Sequence, residues 1–276
     1  ASSDSITWTA TLTPTADTED AVNVVTVAAS YTDTAGNAGA AGTSANYIVE
    51  TQAPSVSSVT VSDTALKAGD TATLTIVFSE AVAAFANADV TIGSGAISTL
   101  STADSGITWT ATLTPTADTE DAANTVDVAA SYTDTAGNAG AAGASANYAV
   151  DTLAPSVSSI TMADTTLLEG ETTTLTIVFS EAVADFANAD VTVENGALAT
   201  MTSSDSITWA GTFTPTASTE DAVNVVSVAA SYTDTAGNAG GAATSANYAV
   251  ETQAPSVSTL AISYDSLLVG ETATLT

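Results

Sequence analysis

The chain has 276 residues, and its 31 acidic side chains stand against a single base, Lys67, for a net charge of −30. That charge repels phosphate backbones and anionic lipid, which excludes nucleic acid and membrane surfaces as partners. Cysteine, histidine and arginine are all missing, so Ser–His and Cys–His nucleophiles, the usual zinc sites and disulfides drop out.

Self-similarity dictates the organisation. Tyr31, Tyr132 and Tyr232 are spaced by 101 and then 100 residues, as are Trp8, Trp109 and Trp209, and Pro54, Pro155 and Pro255. Residues 54–154 and 155–254 read as complete repeats. Residues 1–53 match the back of a repeat and 255–276 the front of one. The partial repeats read as the edges of a window on a longer array; the alternative is that they complement each other between chains. No apolar run approaches the length of a membrane span, and no signal peptide is visible.

In chain order the second repeat shows apolar residues at every other position, the mark of half-buried strands. The first is "SVSSVTVS" from Ser55. "TATLTIVFS" then sets Ala72, Leu74, Ile76 and Phe78 on one face and mostly threonines on the other. "EAVAAFANAD" has room for one short helical turn. "DVTI" from Asp89 and "AISTL" from Ala96 follow. "ITWTATLTP" turns Ile107, Trp109, Ala111 and Leu113 inward, "NTVDVAASYTD" does so with Val126, Val128, Ala130 and Tyr132, and "SANYAVDT" closes the set. The segments "SDTALKAG" and "TADTEDA" read as loops. Seven short strands of this kind predict an all-β fold, a tandem of Ig-like antiparallel β-sandwiches. With seven alternating strands the chain enters a domain at one end and leaves at the other, so the domains string head to tail as a rod. The links, such as "VDTLAPSV", are short and stiffened by proline.

The same parity sorts the acids. Asp118, Glu120, Asp121 and Asp151 fall at the trailing end of the second repeat, and Glu181, Asp205 and Asp234 at the leading end of the third. Asp20 is the first-repeat equivalent of Asp121, and Asp134 the second-repeat equivalent of Asp234. The linker carboxylates Glu50, Asp151 and Glu251 recur beside the same partners, with no lysine or arginine to neutralise them. Clustered carboxylates repel unless protonated or bridged by a cation, and an all-oxygen set selects Ca²⁺. Ca²⁺ is therefore expected at each junction, locking the angle between repeats. In "SYTDTAGN" Asp134 is expected to cap a turn whose left-handed position falls to Gly137.

"LLEGETTTLTIVFSEAVADFANADVTVENGAL", "ITWAGTFTPTA", "SYTDTAGN" and "VETQAPSV" together resemble the bacterial Ig-like repeats of large secreted adhesins, the extender regions of RTX and biofilm-associated types. The resemblance implies export to a Gram-negative cell surface and Ca²⁺-dependent rigidity. It also implies metal ligands at the carboxylate before the linker Ala-Pro (Glu50, Asp151, Glu251) and at the glutamate of "FSEAV" (Glu80, Glu181). The reading is a non-enzymatic structural extender whose partners are neighbouring repeats. The alternatives are self-assembly with other copies into a fibre or surface layer, and a glycan- or partner-binding module.

Overall fold

The computed structural model describes residue 2 and residues 4–276. The chain forms two compact units, Ala1–Leu153 and Ala154–Thr276.

In the first unit the second repeat builds a β-sandwich. One sheet runs in the order Gly95–Ile97, Thr108–Pro115, Ala72–Phe78, Val56–Val61, all antiparallel, with Ser101–Thr102 also laid on Thr108–Pro115. Opposite it lie two three-stranded groups, Glu120–Asn124/Tyr148–Asp151/Ala65–Lys67 and Gly143–Ala144/Val126–Val128/Val90–Ile92. Strict alternation in Ala72–Phe78 buries Ala72, Leu74, Ile76 and Phe78 against Leu66, Leu113, Val126, Val128, Tyr148 and Val150 in one core. Threonines hold the other face because a β-branched side chain suits a strand and its hydroxyl suits water. The second unit repeats the plan: Val157–Met162, Thr173–Phe179, Thr208–Pro215 and Gly196–Leu198 make its larger sheet, over a core that includes Leu175, Ile177, Phe179, Phe213 and Tyr232.

Several expectations are corrected. "NTVDVAASYTD" is two strands, Val126–Val128 and Thr133–Asp134, and the latter pairs with Val82–Ala83. The chain leaves the ladder between them because Ala129 N–H bonds the Asp89 carbonyl at 2.8 Å and Ser131 Oγ donates to Asp89 Oδ1 at 2.5 Å. Ala130 consequently faces solvent, while Tyr132 is fully buried with its hydroxyl on the Ala141 carbonyl. Asp89 itself ends a one-turn 3-10 helix, Asn87–Asp89, inside "EAVAAFANAD". Both segments read as loops contain strands: Ala65–Lys67 and Glu120–Asn124 each pair with Tyr148–Asp151, the former in parallel. The sandwich is therefore not wholly antiparallel.

Ile107 precedes its strand and is exposed, and Trp109 is half-buried, edge-on to Phe85 at 5.3 Å. Trp8, read as inward, is 72 % exposed. The described residues of 1–53 carry the strand pairs Glu19–Asn23/Tyr47–Glu50 and Thr26–Val27/Gly42–Thr43, with single bridges Ser2/Trp8 and Thr32/Ala38.

Candidate metal centre

The strand pairings decide which acids can meet. Glu19 stands directly opposite Glu50 across the Glu19–Asn23/Tyr47–Glu50 pair. Asp134 stands opposite Val82, two residues beyond Glu80. The Asn138 side chain ties these groups together, donating to Asp134 Oδ2 at 2.7 Å and to the Glu50 carbonyl at 3.4 Å. Within the first unit Glu80 thus has Asp134, Glu50 and Glu19 as electrostatic neighbours. Partial burial, then the negative charge of Asp134, Glu50 and Glu19 in that order, pushes its carboxyl above the ordinary 4.5.

Asp134 behaves in the opposite way. Burial pushes its carboxyl up, but the Asn138 amide and the backbone N–H groups of Asn138, Gly137 and Ala136 outweigh it and hold the group low. Oδ1 accepts all three N–H groups, at 2.8 Å from Ala136, 2.6 Å from Gly137 and 2.8 Å from Asn138. The fold that makes this possible is the turn itself: Gly137 sits at φ 102, in the left-handed region where glycine carries no Cβ penalty. With three donors on Oδ1 and one on Oδ2, Oδ2 keeps a lone pair to offer. The expectation for this turn holds in its structural part.

In the second unit Glu181 and Asp234, the equivalents of Glu80 and Asp134, bring carboxylate oxygens within 4.8 Å of each other. Asp234 repeats the turn, accepting Gly237 and Asn238 N–H on Oδ1 and the Asn238 amide on Oδ2. Asp151 closes the Tyr148–Asp151 strand opposite Glu120, and Glu251 closes Tyr248–Glu251 opposite Glu220. Lys67 lies in register with Asp151 in the parallel pair, which corrects the expectation that no base stands near this acid. Leu168 takes that place beside Glu251.

Other candidates are drawn away. Asp20 and Asp121 follow Glu19 and Glu120 in their strands, so their side chains leave from the opposite face. Asp121 accepts Ser94 Oγ at 3.0 Å and Ala123 N–H at 3.1 Å, and Asp20 accepts Val22 N–H at 2.9 Å. Asp205 organises its own loop: N–H bonds from Thr208, then Ile207, and the Ser203 hydroxyl hold its carboxyl low. Asp118 occupies an exposed turn at φ 51. Glu19 is the member that sequence reading missed. The available signal was alternation, because Glu19 and not Asp20 shares a face with Glu50.

In the first unit the negative charges of Asp134, Glu50 and Glu19 act on the Glu80 carboxyl, a repulsion that a cation would relieve. The donor chemistry fits Ca²⁺. Nucleophile–base pairs of the Ser–His or Cys–His kind have no residues to form them.

The family model for the bacterial Ig-like domain matches the chain three times, over residues 1–49, 50–150 and 151–250. Among solved structures, FdeC, an Escherichia coli adhesin described as eliciting protection against urinary tract infections, is similar at 16% identity and a TM-score of 0.34, covering 79% of this chain and 71% of that one. An Ig tandem of titin is similar at 15% identity and a TM-score of 0.25, covering 72% of this chain and 96% of that one. No curated protein matches. Three matches that together span most of the sequence place the chain in the bacterial Ig-like domain family.

Proposed function

We propose that these repeats are the extender of a bacterial cell-surface adhesin, stiffened by Ca²⁺ where one repeat passes into the next. The observation that carries the reading is that the charges of Glu50, at the end of one repeat, and of Asp134 in the following one both act on Glu80, while Asn138 bonds the Asp134 carboxylate and the Glu50 backbone carbonyl. A linker carboxylate and two domain carboxylates that share a cation stop repelling and hold the linker in one place.

The link itself is anchored at both ends. Thr51 Oγ1 donates to the Thr15 carbonyl at 2.7 Å and accepts Thr18 N–H at 3.0 Å. Pro54 is buried, and Ser55 N–H reaches Ser79 Oγ at 2.9 Å. Only Gln52 and Ala53 lie between these anchors, so a cation on Glu50 has little chain left to immobilise. A spacer of this kind has no use for a catalytic group, and near-identical repeats suit a stalk better than a dedicated binding site. In this reading the chain acts outside the cell, and its partners are the repeats before and after it.

Two measurements test the reading together. Titration calorimetry should detect Ca²⁺ binding that Glu80→Gln weakens. A protease specific for glutamate should cut after Glu50 faster in chelator than in Ca²⁺. Equal cleavage rates and no heat of Ca²⁺ binding would overturn it.

A further inference from the structure

In the second unit the turn between Val191–Val193 and Gly196–Leu198 is made of Glu194 and Asn195. Two local demands select the residues here. Asn195 stands at φ 48, in the left-handed region that asparagine enters more readily than most side chains. Gly196 follows because the backbone lies hard against its neighbours: a Cβ there would fall 2.1 Å from Phe213 Cζ and 2.8 Å from the Thr214 carbonyl oxygen. The second repeat meets the same demands with Ser94, at φ 43, and Gly95. The third repeat thereby acquires an Asn-Gly pair, the one such pair in the sequence.

Two acceptors hold the Asn195 amide. Its nitrogen donates to Asp221 Oδ2 at 2.9 Å and to Asn224 Oδ1 at 2.6 Å. Asn224 is fully buried, and its own amide is committed to the carbonyls of Asp221 and Tyr248. The backbone of the turn is tied as well: Thr216 N–H bonds the Asn195 carbonyl at 2.9 Å, and the Tyr248 hydroxyl donates to that of Glu194. In the second repeat Ser94 Oγ reaches Asp121 Oδ2 at 3.0 Å, the equivalent anchor without an amide.

We propose that Asn195 is a site of self-modification, closed while this network holds and open when the turn lets go. The Gly196 backbone nitrogen, its proton lost to solvent base, attacks Asn195 Cγ. The new C–N bond closes a five-membered succinimide as the side-chain nitrogen departs as ammonia. Water then adds to either ring carbonyl and opens the ring, leaving an aspartate or an isoaspartate. Water is consumed and ammonia released, with no change of oxidation state. Glycine eases the attack because no Cβ shields its nitrogen. The folded turn opposes it, since the leaving nitrogen is bound to Asp221 and Asn224. Refolding does not undo the change. A carboxylate replaces a double donor, which sets like charge against Asp221 and deprives the buried Asn224 Oδ1 of its hydrogen bond. A third repeat that has once opened here closes less well afterwards, a mark that the second repeat, with serine, does not take. The inference does not rest on Ca²⁺.

Ageing the whole chain in mildly alkaline buffer tests this, with peptide mapping and an isoaspartyl methyltransferase to locate the product. In urea Asn195 should convert ahead of every other asparagine. In the folded chain it should convert at least about tenfold more slowly than in urea, the worth of two hydrogen bonds. Tyr248→Phe frees the Glu194 carbonyl without touching Asn195, so it should speed folded-state conversion about fivefold and leave the rate in urea unchanged. Asn195→Ser should form no isoaspartate at this position. Asn195→Asp imitates one product directly: the melting midpoint of the second unit should fall about 5 °C or more below wild type, and further than in Asn195→Ser. Equal rates folded and in urea, a folded-state rate that Tyr248→Phe leaves unmoved, or an Asn195→Asp chain that melts with wild type would each overturn the proposal.

Discussion

Two carboxylates side by side respond oppositely to pH. Asp134 is held below its ordinary 3.8, so its contribution is present above that value and is lost as pH falls through the folded value. Glu80 is raised above 4.5, so the folded state prefers it protonated, and stability declines as pH rises through the raised value. In chelator at neutral pH, Glu80→Gln should therefore stabilise the first unit slightly, by less than about 1 kcal/mol because the group is partly solvated. In Ca²⁺ the same change should destabilise it, since a ligand is lost. Thermal melts of the two proteins with and without metal check the reversal of sign. Asp134→Ala is a different perturbation. It strips the acceptor from three backbone N–H groups and the Asn138 amide, and should cost about 3 kcal/mol whether or not metal is present. Asp134→Asn keeps one acceptor oxygen for the turn, so its loss should be smaller in chelator and should grow in Ca²⁺.

At the scale of elements, what was legible was whatever period two could encode. "TATLTIVFS" reads directly because Leu74 and Ile76 must be covered and the threonines between them need not be. The turn at Asp134 was equally legible, since few residues besides aspartate and glycine fit its roles. Ala65–Lys67 was not. Three residues carry no period, and their parallel partner Ala149–Asp151 lies more than 80 residues away. Glu120–Asn124 was hidden by its own acids, which read as loop, although Asn124 is buried with its amide on the carbonyls of Asp121 and Tyr148. The candidate site followed the same divide. Glu80 and Asp134 stand in recognisable segments, whereas Glu19 enters only through cross-strand register. The trailing end of the sandwich depends on another long-range tie. Thr152 is buried, accepts Thr119 N–H at 3.0 Å and donates to the Thr116 carbonyl at 2.7 Å. Thr152→Val keeps the shape and removes both bonds, so it should cost about 2 kcal/mol. It should also raise hydrogen exchange at Thr119 well above that of Val126, which lies deep in the core. Thr252→Val should do the same at Thr219 in the second unit.

For the whole molecule, the net charge of −30 makes cations act in two separable ways. Any salt screens long-range repulsion, with a Debye length near 10 Å at 0.1 M and near 3 Å at 1 M. In chelator the melting temperature should accordingly climb with NaCl over the molar range, in both units and in Glu80→Gln alike. A bound ion acts by mass action instead. Ca²⁺ at about one hundred times its dissociation constant adds about 2.7 kcal/mol to the state that binds it, which in a domain of this size moves the midpoint by roughly 10 °C or more. The two effects part at matched ionic strength: Ca²⁺ should exceed NaCl for the wild-type chain, and the excess should shrink when Glu80 is replaced. Mg²⁺ should fall between them, because it gives up water reluctantly and demands a tighter octahedron than carboxylates on separate strands and a linker supply. If Ca²⁺, Mg²⁺ and Na⁺ raise the midpoint equally at equal ionic strength, the carboxylates around Glu80 only feel screening, and the stiffening assigned to them has no ligand behind it.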